Sequence, residues 1–109
     1  MIFPLVTFET ATHRYGHFKK HVLQRKEFAC ADEYAYEALA SAFLDSPLGD
    51  TTLQCRRPQG DIIRYDFVTL EFGIFGRNGF ILSYFRPSTL NHFYPSNYCY
   101  FYYECWRVF

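Results

Sequence analysis

Apolar and polar residues along the chain fall into two regimes. After an extended start the chain reads as helical from residue 13 to about 50, and from Thr51 onward the apolar positions alternate with period two. The helical regime predicts a first helix over 13–24, with Gly16 weakening its start. A second helix follows Asp32, whose side chain suits an N-cap, with Glu33 and Glu37 near the positive end of the helix dipole. Tyr36, Leu39, Ala40, Phe43 and Leu44 give it an apolar stripe, and Pro47 and Gly49 stop it. Residues 1–12 read as an extended lead-in, because Phe3, Leu5 and Val6 favour strand while Pro4 prevents regular pairing.

The period-two regime predicts four strands over 52–57, 61–65, 69–75 and 79–86. Pro58-Gln59-Gly60, Asp66-Phe67-Val68 and Gly76-Arg77-Asn78-Gly79 separate them, and the Asn-Gly pair is a hairpin signal. Connections this short force antiparallel neighbours, hence a meander. From Ser96 to Arg107 aromatic density argues strand. A cap at Ser96 or Asn97 argues instead for a helix with Tyr98, Phe101, Tyr102 and Cys105 on one face, and the helix is preferred. The expected fold is α+β: two N-terminal helices on a twisted antiparallel sheet of about four strands, then a short C-terminal helix.

Composition narrows the class. Half of the 109 residues are hydrophobic and 22% are aromatic, which excludes a disordered chain. There is room for one domain, taken as 1–109. No stretch approaches the ~20 consecutive apolar residues of a membrane span, so no membrane partner is expected. Met1 to Val6 lack a basic leader and are interrupted by Pro4, unlike a signal peptide. Cys30, Cys55, Cys99 and Cys105 form no CxxC pair and are read as reduced, buried small hydrophobes, with a single bridge involving Cys99 or Cys105 as the lesser reading.

The formal net charge is zero, yet its distribution is uneven. Arg14, Lys19, Lys20, Arg25 and Lys26 share the segment 13–26 with three histidines and no acid, whereas 27–50 holds six acids and no Lys or Arg. Such a chain can hold phosphate at one end.

His13, His17 and His21 fall at i, i+4 and i+8, on one face of a continuous helix. Imidazoles one turn apart can share a zinc ion, but a third ligand is needed, and no HExxH occurs. Lys19 and Lys20 beside His21 favour acid–base chemistry in a cationic pocket over a metal. An exposed basic helix with incidental histidines is the plain alternative. On the fourth strand, alternation sends Ser83 and Phe85 to one face and Leu82, Tyr84 and Arg86 to the other. Ser83 lacks a GxSxG elbow, which suits a hydrogen bond to phosphate better than nucleophilic attack. Arg86 is a candidate phosphate clamp, and Arg57 or Arg64 can share a face with it. Tyr84 and Tyr94 are candidates to stack on a base. His92, in the loop after the fourth strand, is a second acid–base or substrate-binding candidate.

The order of local patterns carries a resemblance. His17-x-x-Lys20-His21 is followed by Tyr34, Leu39-Ala40 and Phe43-Leu44, then by Gly60-Asp61-x-x-Arg64-Tyr65-Asp66. Thr69-x-Glu71-Phe72, Asn78-Gly79-x-Ile81, Ser83-Tyr84-Phe85-Arg86-Pro87 and Tyr100-Phe101 complete it. Over roughly 13–105 the chain resembles the C-terminal RNase toxin domains of bacterial polymorphic and contact-dependent inhibition systems, of the barnase–EndoU–colicin–RelE class. The colicin D tRNase is a similar case. The family's Lys-His pair matches Lys20 and His21, and its Ser/Thr-x-aromatic element matches Ser83 and Phe85. Val22 and Phe28-Ala29 stand where relatives commonly carry glycine and a phenylalanine-glycine pair.

The resemblance implies a metal-independent endoribonuclease without cofactor, acting on RNA, with tRNA among the candidate targets. His21, Lys20, Ser83, His17 and Arg86 are the expected catalytic set, and Lys19, Arg64, Tyr84 and His92 the expected substrate contacts. It also implies a cognate immunity protein or antitoxin, and action in the cytoplasm of a target or producing cell after delivery within a larger effector. A protein-interaction module (an antitoxin or a phage inhibitor) and a metal-dependent nuclease are the alternatives.

Overall fold

The structure is a computed structural model that describes residues 6–107; the expected lead-in over 1–5 lies outside the described residues. The fold is α+β, in the order α1 (Ala11–Phe18), a π-helical stretch (Lys19–Gln24), α2 (Glu33–Asp45), β1 (Thr52–Arg56), β2 (Ile62–Asp66), β3 (Phe72–Phe75), β4 (Ile81–Phe85) and α3 (Asn97–Trp106). The strands form an antiparallel meander in the order β1-β2-β3-β4.

Local chemistry explains most boundaries. Thr10, Asp32 and Ser96 each cap a helix by accepting a backbone N–H, from His13, Ala35 and Cys99 respectively. The expected helix 13–24 begins two residues earlier and does not stay α-helical. From Lys19 it widens to i→i+5 bonding, with Arg25 N–H donating to Lys20 O at 2.9 Å. Lys26 then turns the chain at φ +53°, and Glu27 N–H returns to His21 O at 2.8 Å. β3 starts three residues later than expected because Asp66 Oδ1 accepts the N–H groups of Val68 and Thr69 and holds a turn there.

The two faces of the sheet carry different helices. Gly73 of β3 admits α2 closely: a Cβ there would come within 2.8 Å of Leu44. On that side Phe8, Phe18, Val22, Phe28, Tyr36, Ala40, Ile81 and Tyr84 form one core. Tyr36 is 0% exposed, and burying such a ring contributes ~2–3 kcal/mol. On the opposite face α3 covers Ile63, Tyr65 and Phe72 with Phe101 and Cys105. The buried stripe of α3 is therefore narrower than expected, since Tyr98 and Tyr102 are exposed.

Two further features set the β4 edge. Ile81 N–H donates to Thr7 O at 2.8 Å, so the segment before α1 pairs parallel to β4 through Phe8 and Ile81. Glu37 Oε2 accepts the Phe8 N–H at 3.0 Å and Ser41 Oγ that of Val6 at 3.1 Å, tying this segment to α2. A register shift between Ile74 and Phe75 kinks the β3–β4 pair beside Ser83.

Cys55 of β1 and Cys105 of α3 are joined by a disulfide with Cα atoms 6.0 Å apart, which corrects the reduced reading for these two residues. The sheet face brings them together over 50 residues of sequence, a relation no local spacing encodes. Cys30 and Cys99 remain thiols.

Candidate active site

Where the π-helical stretch, the end of β4, the following loop and α3 converge, a cleft of about 360 Å³ opens. Six of the expected site residues line it: His17, Lys20, His21, Ser83, Arg86 and His92. Arg25, Arg57 and Arg107 join them, against a single lining carboxylate, Glu104. Arg57 is buried and ion-paired with Asp61 at 2.8 Å and Glu104 at 3.5 Å; Arg107 meets Glu104 at 3.2 Å. Among the described residues five Lys and Arg side chains and one carboxylate line the cleft, which gives it a positive lining although the chain as a whole is neutral.

His21 is the most constrained group in it. It is 3% exposed, and its Nδ1–H donates to Glu27 Oε2 at 3.1 Å. The ring stacks between His17 (centroids 5.8 Å apart) and Phe85 (5.4 Å). Nδ1 is thus engaged, and Nε2 makes no hydrogen bond to the described residues. A carboxylate that fixes one imidazole nitrogen and leaves the other available is the arrangement of an oriented acid–base histidine. The π-helical widening brings this about, since it carries Lys20 and His21 on the last turns before the chain reverses to supply Glu27.

Glu27 was not legible as a site residue; in sequence it merely opens the acidic segment. The signal available was its position six residues past His21, just beyond a helix end. Its other oxygen, Oε1, accepts the backbone N–H of Arg86 at 2.7 Å, which couples the π-helical stretch to the end of β4. The Arg86 guanidinium donates to Glu27 O at 2.6 Å and Thr69 O at 3.1 Å and lies 4.7 Å over the Phe28 ring. Its Nη2 makes no hydrogen bond to the described residues.

His17 stacks between Phe8 (5.2 Å) and His21, with Nδ1 buried and unbonded. Burial, together with neighbouring His21, Lys20 and His13, lowers its pKa to about 4, so it is neutral near neutral pH. His13 is exposed and does not line the cleft. Among the described residues no three His, Cys, Asp or Glu side chains are grouped to hold a metal ion.

Four expected contacts stand differently. Tyr84 is 1% exposed and packs against Phe28 and Tyr36, its hydroxyl donating to Glu71, so it presents no face to a base. Arg64 points to the α2 face, where it donates to Gln54, Phe43 O and Ser46 O, because alternation along β2 puts it opposite Ile63. Lys19 is exposed outside the cleft lining. His92 lines the cleft, but both ring nitrogens are engaged: Nδ1 accepts the Tyr94 N–H at 3.2 Å, and Nε2–H donates to Asn97 Oδ1 at 2.9 Å. It braces the wall and is not poised for proton transfer.

No protein-family model matches the chain, and no curated protein matches it at a significant level. Among the described residues no helix is long and apolar enough to cross a membrane.

Proposed function

We propose that the protein is a metal-independent endoribonuclease of the bacterial toxin type, cleaving RNA by attack of the 2′-hydroxyl on the adjacent phosphodiester. The observation that carries this reading is the His21–Glu27 pair at the wall of the cationic cleft, with Nε2 unbonded. His21 takes the 2′-hydroxyl proton as the 2′-oxygen–phosphorus bond forms, a role worth about 10²–10⁴-fold in rate. Lys20 and Arg86 face the charge that builds on the phosphoryl oxygens, and Ser83 orients the phosphate. The bond to the 5′-oxygen breaks as that oxygen takes a proton from solvent water, leaving a 2′,3′-cyclic phosphate and a 5′-hydroxyl, and His21 returns its proton to solvent. DNA, lacking the nucleophile, is not cut.

A nuclease acting inside cells requires a neutraliser in its producer, so an acidic immunity protein or antitoxin covering Lys19, Lys20 and the cleft is part of the proposal. The deciding experiment is RNA cleavage by purified protein in excess EDTA, beside the His21→Ala variant. Discrete fragments from wild type alone support the reading; equal activity in a folded His21→Ala protein, or none in EDTA with recovery on adding zinc or magnesium, overturns it. The reading as a protein-interaction module draws on one observation, the exposed row Tyr98, Tyr102 and Trp106 on α3.

A further inference from the structure

The loop that leads from β4 to α3 borders the cleft and carries two apolar side chains with no cover. Leu90 is 93% and Phe93 107% exposed, on either side of Asn91 and His92, which line the cleft. A mobile tip would explain little, but this loop is anchored from within. Asn91 N–H donates to Ser88 O at 2.8 Å, and Leu90 N–H to Ser88 Oγ at 3.2 Å. Asn97 Nδ2 donates to Pro87 O at 3.0 Å while its Oδ1 holds His92. The His92 ring lies flat on Tyr100, with centroids 4.7 Å apart and planes 5° from parallel. Phe93 follows this latch directly, so it is presented from an ordered base and loses little freedom on binding.

Charge identifies the occupant. Arg57 and Arg107 of the adjoining cleft are ion-paired, and Lys20, Arg25 and Arg86 leave its lining positive, which suits an anionic ligand; in the ribonuclease reading that ligand is an RNA strand. A fully exposed phenyl ring beside a polyanion site meets a group with a flat apolar face, and in a nucleic acid that is a base. Bases within a duplex have both faces covered by neighbours; only an unpaired, splayed base offers one.

We infer that Phe93 is a base-stacking subsite, with Leu90 beside it, and that the substrate is single-stranded or loop RNA. This rests on the ribonuclease reading above, and it specifies which RNA enters the cleft.

The test uses a labelled oligoribonucleotide, free or annealed to its complement, with wild type, Phe93→Ala, Phe93→Trp and Leu90→Ala. The single strand should be cut in preference to the duplex. Phe93→Ala should raise KM on the single strand about 5- to 100-fold with kcat little changed, and Phe93→Trp should restore it. Leu90→Ala should give a smaller rise in KM. Cleavage by wild type with KM unchanged in Phe93→Ala overturns the subsite and leaves the nuclease standing, as does equal cleavage of duplex. If Phe93→Ala alters only the affinity of a neutralising protein, the tip is a protein contact and the inference fails. Fluorescence anisotropy separates the two readings where no cleavage occurs. Single-strand binding weakened by Phe93→Ala supports the subsite and overturns the nuclease, and absence of RNA binding overturns both.

Discussion

Glu27 holds His21 through a 3.1 Å hydrogen bond from the imidazole Nδ1–H, and the same carboxylate receives the Arg86 backbone N–H at 2.7 Å on its other oxygen. One side chain therefore sets the orientation of the imidazole and the distance between the π-helical stretch and the end of β4. Removing it affects both.

Under the ribonuclease proposal Glu27→Ala is expected to lower kcat about 10²-fold as the imidazole loses its orienting partner, with a smaller rise in KM as the Arg86 backbone loses its anchor. Glu27→Gln, which keeps an acceptor for Nδ1–H, should fall less. Steady-state kinetics on an RNA oligonucleotide, with circular dichroism to check the fold, decide this. A Glu27→Ala enzyme with unchanged kcat would show that the pair is only architectural.

Acid should weaken the fold through His17. Its folded pKa of about 4 lies below the ordinary 6.5, so on acidification the unfolded chain binds a proton before the native state does. The stability associated with neutral His17 is complete above the ordinary value and is lost as pH falls from there toward 4. The urea midpoint of wild type should fall relative to that of His17→Phe over this interval. Parallel curves would falsify the assignment.

The Cys55–Cys105 bridge closes a separation of 50 residues, for which chain entropy gives ~4 kcal/mol of stabilisation. Cys105→Ser, or reduction by dithiothreitol, should lower the unfolding free energy by about that amount. Thiol titration of unfolded, unreduced protein should find two free cysteines, Cys30 and Cys99. Finding four would contradict the bridge.

Lys26 occupies left-handed backbone at φ +53°, where a side chain costs ~1–2 kcal/mol and glycine almost nothing. Lys26→Gly is expected to leave stability unchanged or raise it by up to about 1 kcal/mol, and Lys26→Val to lower it. Denaturant melts of the two variants test this, and equal losses from both would mean that the Lys26 side chain matters more than its φ.

The parts of this fold legible in sequence are those written locally. Asp32 and Ser96 announce their helices because a capping oxygen and the backbone N–H that donates to it lie three residues apart. The pair Asn78-Gly79 marks the β3–β4 turn because Gly79 adopts φ +89°. Lys20, His21, Ser83 and Arg86 are legible through residue type and order, and the cleft gathers all four. The rest depends on tertiary packing. Arg64 and Tyr84 look like ligand contacts until α2 settles over Gly73 and takes that face of the sheet. The mate of Cys55 is visible only once α3 lies on the other face. Glu27 becomes a partner of His21 through a π-helical widening and a left-handed residue, neither of which leaves a periodic trace.

Since Tyr100, Glu104 and Arg107 stand on α3 or at its end, the cleft has its second wall only after the ribosome has moved past residue 107. The helix that supplies His21 emerges some eighty residues earlier in order of synthesis, and without α3 it faces an open sheet. A nascent chain therefore carries the imidazole long before the cleft around it is complete.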